Sequence, residues 1–452
     1  MNEHLDAALD LTGARARLRD ASAVRAHIDD LVRVAIWGDP EEQALARYAI
    51  HAAAPQLGAV PSSIWGLYQA RGRGEVSGFT APAVNIRGMA YDMSRALFRA
   101  IKATNAWATI FELARSEMGY TFQEPAEIAA VVLAAAIAED YRGPVFIQGD
   151  HFQANAKKFA ADPEGETHAL EELIRKAVAA QFYCIDIDAS TLVDLSFAKV
   201  SDQQAPNAKL TARLARLIRE IEPAGVTVSV GGEIGEVGKH NSTVEELTCY
   251  VDGFRDIVGP DFTGLAKVSV QTGTSHGGIP LPDGTIARVA IDFDTLRDMS
   301  RVGRERYGMA GAVQHGASTL PDDLFHRFPA VETAEIHLAT GFQNILMDHG
   351  RFPADLMREM HAYAGEHFAD ERSAGETDIQ FFYKTRKKLW GPFKRQVWDL
   401  PSDIRTELDR ALQDKFEFLI RQLNANDTRE MTLKYVVHRP VEVEPPAIGT
   451  RA

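Results

Sequence analysis

The chain has 452 residues, 45% hydrophobic and 25% charged, which are the proportions of an ordinary globular protein. It carries 49 Lys+Arg against 63 Asp+Glu, a formal net charge of −14, and so lacks the broad basic footprint of a nucleic-acid binder. Cys184 and Cys249 stand far apart, which excludes a disulfide framework and a cysteine zinc ribbon, and neither a transmembrane run nor a signal-peptide core is present, so a cytoplasmic protein without membrane attachment is expected.

Residues 1–77 read as a helical N-terminal extension. Ala, Leu and Arg dominate there, and apolar positions recur at helical spacing on both sides of Gly38-Asp39-Pro40. The pattern then changes. Short β-branched, apolar runs occur at 82–86, 107–113, 144–149, 182–188, 226–232, 266–272, 311–314 and 334–338. Amphipathic segments such as 164–180 and 207–222 lie between them. Near-continuous apolar strands that alternate with helices predict a parallel sheet covered on both faces. Eight such units over roughly 270 residues suit a (β/α)₈ TIM barrel, placed at 78–350. The runner-up, a doubly wound open sheet, lacks a G-x-G-x-x-G after an early strand. Residues 351–436 read as a C-terminal helical region. It includes the basic, aromatic stretch 381–398 and a helix over 402–423 that begins like a capped one. Residues 437–452 form a Pro-rich tail, expected to be extended or disordered.

Polar residues cluster where the strands end, which is where barrels build their active sites. The third strand ends in Asp150-His151, the fifth in Glu233, the sixth in His276 and the seventh in His315. Each lies beside glycine, in QGDH, GGEIGEVG, TSHGG and QHGAS, where backbone can approach a ligand closely. Three imidazoles and a carboxylate make a set for a first-row divalent metal, with Zn²⁺ favoured. Asp150, beside His151, is then an acid/base candidate. The amides of Gly277 and Gly316 with the hydroxyls of Ser318 and Thr340 offer an anion nest. His168, His326 and His349 read as surface residues.

These residues are similar to the motifs of the class II, zinc-dependent fructose-bisphosphate aldolases. The shared elements are PAVN on the first strand, DH followed by AKK after the third, and E-x-G after the fifth. T-S-H-G resembles the family's N-x-H-G, and H-G-A-S its H-G-G-S, in the same order along roughly residues 78–350. The resemblance implies zinc on His151, His276 and His315, with Glu233 as an alternative metal-site carboxylate. It implies an acid/base role for Asp150 at the hydroxyl of the cleaved carbon–carbon bond. It places Gly277, Gly316, Ser318 and Thr340 around the phosphate of dihydroxyacetone phosphate, with Asn85 and Ser116 facing substrate.

The chain also departs from the family. Where the family's eighth strand reads N-I-D-T-D, this chain has His337-Leu338-Ala339-Thr340-Gly341, so that His337 replaces a ketose-contacting asparagine. No loop glutamate stands in register at Gly238-Lys239-His240-Asn241; Glu236, Glu245 and Glu246 are nearby, and they or His337 are the candidates to protonate the enediolate. Gly391-Pro392-Phe393 stands where a D-P-R turn supplies the arginine for a second phosphate, with Lys394 or Arg395 as possible substitutes. The expectation is a metal-dependent aldolase. It would cleave or form a C–C bond of a phosphorylated ketose through a zinc-stabilised enediolate, releasing dihydroxyacetone phosphate. A ketose with a single phosphate is expected to be preferred, and the chain to form a homo-oligomer, dimer or tetramer. The alternatives are a non-catalytic aldolase-like partner subunit and a metal-dependent sugar-phosphate epimerase or isomerase.

Overall fold

All eight predicted strands form, and they close into a barrel. In the computed structural model, which describes residues 8–11, 16–235, 240–273, 280–283, 287 and 291–446, they are β1 (Ala81–Asn85), β2 (Ile110–Ala114), β3 (Gly143–Gln153), β4 (Cys184–Asp188), β5 (Ser229–Gly235), β6 (Lys267–Val270), β7 (Ala312–Gln314) and β8 (Glu335–Leu338). Every pairing is parallel and follows chain order, and Glu335 opposite Ala81 closes β8 onto β1. Helices Pro163–Ala179 and Val200–Ile221 cover the outside close to the predicted segments. The result is a (β/α)₈ TIM barrel with helical extensions.

The N-terminal extension is not purely helical. Its helices Ile28–Trp37 and Pro40–Gln56 pack on Pro125–Ala138, whose run of Ala, Val, Ile and Leu is buried almost all round. That burial explains a helix that is apolar on every face. Between the helices, Ala59–Pro61 adds a short parallel strand beside Gly143–Val145 at the start of β3. A two-residue pair joins Leu9–Asp10 to Arg17–Leu18. Helix Trp65–Gly72 then plugs the N-terminal mouth, where Ile64, Leu67, Tyr68 and Phe79 pack on Ala81, Ile110, Phe146 and Cys184.

In the C-terminal region, Ser402–Gln422 forms as expected, but Ser402 is its first residue and no side chain caps it; Pro401 holds the cap position. The stretch 381–398 breaks into Asp378–Thr385, a 3₁₀ turn at Arg386–Leu389, and Lys394–Trp398. Residues 437–446 have no regular structure, and the rest of the tail lies outside the described residues. Among the described residues, no single helix is long and apolar enough to cross a membrane.

Candidate metal centre and substrate cavity

Two β-bulges shape the C-terminal mouth of the barrel. The register of β3 shifts between Gly149 and Phe152, which puts His151 in the left-handed region at φ 40°. Gly149 is required there, because a Cβ would sit 2.4 Å from the Phe152 ring. The register of β5 shifts between Glu233 and Gly235, with Gly235 at φ 38°. Bulges and unusual backbone angles re-aim side chains beside active sites. Here they turn Asp150-His151 and Glu233 toward a common point.

Three imidazoles stand in a row across the mouth. The ring centroids of His151 and His315 are 4.2 Å apart, and those of His315 and His337 are 4.0 Å apart. His151 Nδ1 lies 3.0 Å from Asp188 Oδ2 and 3.0 Å from Glu233 Oε2. His315 Nε2 lies 2.9 Å from Ser269 Oγ. Ligand atoms of Asp150, His151 and His315 all fall within 4.8 Å of one another, and so do those of His151, Asp188 and Glu233. A carboxylate behind one ring nitrogen, with the other nitrogen facing a cluster of donors, is how proteins orient metal-ligating histidines. Burial opposes a charged His151, yet Asp150 and Glu233 hold its pKa well above the ordinary value. Burial and then Asp188 push Glu233 up to about 7. So much negative charge in one place fits a bound cation. His276 lies outside the described residues.

Beneath this mouth the barrel interior is charged, where barrels are ordinarily filled by branched apolar side chains. Lys267 is 1% exposed; its Nζ lies 2.9 Å from Asp186 Oδ2 and 2.8 Å from Gln148 Oε1, and it also bonds Glu335. Tyr68 donates to Glu335 from below. His337 Nε2 lies 2.6 Å from Glu335 Oε1. Its Nδ1 faces Glu112 Oε2 at 2.8 Å and Asp150 Oδ1 at 3.1 Å. Burial pushes the Glu112 carboxyl up to about 8, with His337 opposing the rise. Gly231 makes room for the Lys267–Asp186 pair, since a Cβ there would meet Asp186 Oδ1 at 2.2 Å and Lys267 Cε at 3.0 Å. Gly231→Ala is therefore expected to cost ~1–3 kcal/mol, as overpacking does, and a thermal melt would show it. An unchanged midpoint would mean that the pair has slack.

A cavity of about 820 Å³ opens above the histidines. Asn85, Ser116, Asp150, His151, Glu233, His315, Gly316, Ser318, His337 and Thr340, the predicted site residues among those described, all line it; Gly277 lies outside. Within it, Ser318 Oγ accepts from the Gly341 amide at 3.1 Å, and Thr340 Oγ1 accepts from Arg87 at 3.0 Å. Arg87 also pairs with Glu117 at 2.8 Å, and Asn85 donates to the same carboxylate. His337 lines the wall, but both of its ring nitrogens are turned to carboxylates.

Several expectations need correction. Lys394 and Arg395 do not reach the cavity: Lys394 pairs with Glu127, and Arg395 with Asp399 at 2.9 Å. The cations that do line it are Arg87, Arg115, Lys158, Lys384 and Lys387. Lys387 makes no ion pair among the described residues, and burial and then Arg87 lower its pKa. Glu246 is committed to a capping box with Thr243, and Glu245 is exposed on the first turn of that helix, so neither faces substrate. Glu236 lies outside the described residues.

The sequence reading missed Glu112, Asp186, Asp188, Lys267 and Glu335. For all of these but Glu112 the signal was alternation. Gln148 and Asp150, Asp186 and Asp188, Lys267 and Ser269, and Glu335 and His337 each sit two apart on one strand, hence on one face.

The model of the class-II fructose-bisphosphate aldolase family matches residues 73–388. Among solved structures, a probable tagatose 6 phosphate kinase from Sinorhizobium meliloti is similar at 16% identity and TM-score 0.52, over 81% of this chain and 95% of that one. The fructuronate-tagaturonate epimerase UxaE from Cohnella laeviribosi is similar at 13% identity and TM-score 0.52, over 97% of this chain and 91% of that one. At these identities the likeness is one of fold. Comparison with curated proteins gives no match.

Proposed function

The chain belongs to the class II fructose-bisphosphate aldolase family, and on that premise we propose that it is a metal-dependent lyase acting on a phosphorylated ketose. The observation that carries this is the convergence of Asp150, His151 and His315 at the mouth of one cavity. His151, His315 and His276, with Glu233 as an alternative carboxylate, would hold Zn²⁺. When bound, that ion supplies Lewis acidity to the ketose carbonyl and offsets negative charge as the carbon–carbon bond breaks.

The chain's own side chains do the rest. Asp150 accepts the proton of the hydroxyl on the far side of the scissile bond, and returns it in condensation. The Gly316 amide and the hydroxyls of Ser318 and Thr340 receive the phosphate of the dihydroxyacetone phosphate half. Lys387 gives that end its positive charge, beside Arg87, which bonds Thr340 and is itself paired with Glu117. Asn85 and Ser116 face the sugar chain.

Screening phosphorylated ketoses for cleavage, with metal analysis of the same sample, tests the reading. Release of dihydroxyacetone phosphate by metal-loaded enzyme supports it. Solvent deuterium appearing in an unfragmented ketose would replace the lyase with an epimerase or isomerase. No turnover and no metal would leave an aldolase-like partner subunit.

Lys387→Ala removes one charge-assisted contact to the phosphate. KM is expected to rise ~10–150-fold, equivalent to ~1.5–3 kcal/mol, with a smaller change in kcat. An unchanged KM would place the phosphate elsewhere in the cavity.

A further inference from the structure

The histidine that replaces the family's asparagine marks a second cation site. We propose that Glu112, Asp150 and His337 bind a first-row divalent cation of the Zn²⁺ or Mn²⁺ class, beside the one proposed at His151 and His315, with Asp150 between the two.

The argument starts at the His337 ring. Nε2 is 2.6 Å from Glu335 Oε1 and donates its hydrogen there. Glu335 is held as an acceptor by Lys267, Tyr68 and Gln148. With that hydrogen on Nε2, a neutral ring carries its lone pair on Nδ1. The side chain is 4% exposed, and Nδ1 makes no hydrogen bond. The atoms it faces are Glu112 Oε2 at 2.8 Å and Asp150 Oδ1 at 3.1 Å, which are themselves acceptors. Three lone-pair donors brought together need positive charge between them: either the proton of an imidazolium, which Glu112 and Asp150 favour against burial, or, on the neutral ring, a bound cation. Ligands at right angles around one octahedral ion, each about 2.1 Å from it, lie about 3 Å apart. The two oxygens stand at that separation from Nδ1. The Glu335–His337 pair supplies the carboxylate behind the imidazole that ligating histidines use.

Charge points the same way. Glu112, Asp150, Asp186, Asp188, Glu233 and Glu335 crowd one barrel end, and Lys267 is the buried lysine among them. With all six ionised, as carboxylates beside bound metal are, one divalent ion leaves this cluster on the negative side and a second brings it closer to neutrality. Mixed imidazole and carboxylate donors suit Zn²⁺ or Mn²⁺ better than Ca²⁺. A carboxylate that ligates through one oxygen keeps the other, so Asp150 retains an acceptor for its proton step.

The test is equilibrium dialysis of the chelator-stripped full chain against Mn²⁺, with metal content per chain and electron paramagnetic resonance read on the same sample. The wild type is expected to take up two equivalents and to give the signal of a spin-coupled pair. His337→Gln and the near-isosteric Glu112→Gln are each expected to lose one equivalent and the coupling, and His315→Ala to lose the other equivalent. One uncoupled equivalent in the wild type, kept by His337→Gln and abolished by His315→Ala, overturns the second site and leaves the proposed function standing. One equivalent kept by His315→Ala and lost by His337→Gln supports this site and sinks the His151–His315 reading. No bound metal overturns both. The wild-type resonance signal needs no variant, so a misfolded substitution does not leave the question open.

Discussion

Asp150→Asn is expected to reduce cleavage of a true substrate ~10²–10⁴-fold while leaving the fold intact. The side chain is 5% exposed, lines the cavity and sits between the two outer histidines. Its Oδ1 is 3.1 Å from His337 Nδ1 and 4.0 Å from His151 Nε2. Asparagine keeps the shape and a carbonyl oxygen that accepts hydrogen bonds but cannot take a proton at neutral pH. A loss in kcat, with the melting midpoint and the metal at His151–His315 unchanged, identifies proton transfer as what was removed. Turnover within a few-fold of wild type would assign Asp150 to structure. A parallel loss of the metal at His151–His315 would assign it to ligation of that ion.

The strands were legible because each is a short apolar run bounded by glycine or polar residues, and the barrel needs that run eight times. Asp150-His151, Glu233 and His315 were legible because polar residues at strand ends beside glycine have little reason to be there except a site. The charged interior was harder to read. Glu112, Asp186, Lys267 and Glu335 lie within strands, and a charge within a strand ordinarily reads as a solvent-facing position. Only closure of the sheet converts that face into an interior, and closure is a long-range fact. The alternation of the last three with Gln148, Asp150, Asp188, Ser269 and His337 marks one face but not which way it points. Ala59–Pro61 was hidden for a different reason. Three residues ending in proline carry no strand pattern, and they pair only because β3 runs eleven residues and extends past its neighbours at the bottom. The bulges at His151 and Gly235 explain why the strands that carry these candidate residues can be read from sequence while their geometry cannot.

The buried Lys267 sets the last expectation. A lysine with 1% exposure has no access to water, so its charge depends on Asp186, Glu335 and Gln148. Burial opposes the ammonium, yet Asp186 and Glu335 hold its pKa above the ordinary value, while Lys267 draws Glu335 well below the usual carboxylate range despite its burial. Lys267→Met keeps the volume but leaves two carboxylates without their counter-charge. Breaking a buried pair from one side costs ~3–5 kcal/mol, because the remaining charge is stranded. A large drop in the melting midpoint is expected, measured without metal so that bound ions cannot compensate. Adding Asp186→Asn and Glu335→Gln to Lys267→Met removes the stranded charges and is expected to restore much of the midpoint. The restored triple variant should still bind metal at His151 and His315 but lose order at His337, since a glutamine behind Nε2 is a weaker acceptor than a carboxylate. If the triple variant keeps full activity, the network serves only the stability of the barrel. If it folds and fails, the network beneath the site is there to aim His337.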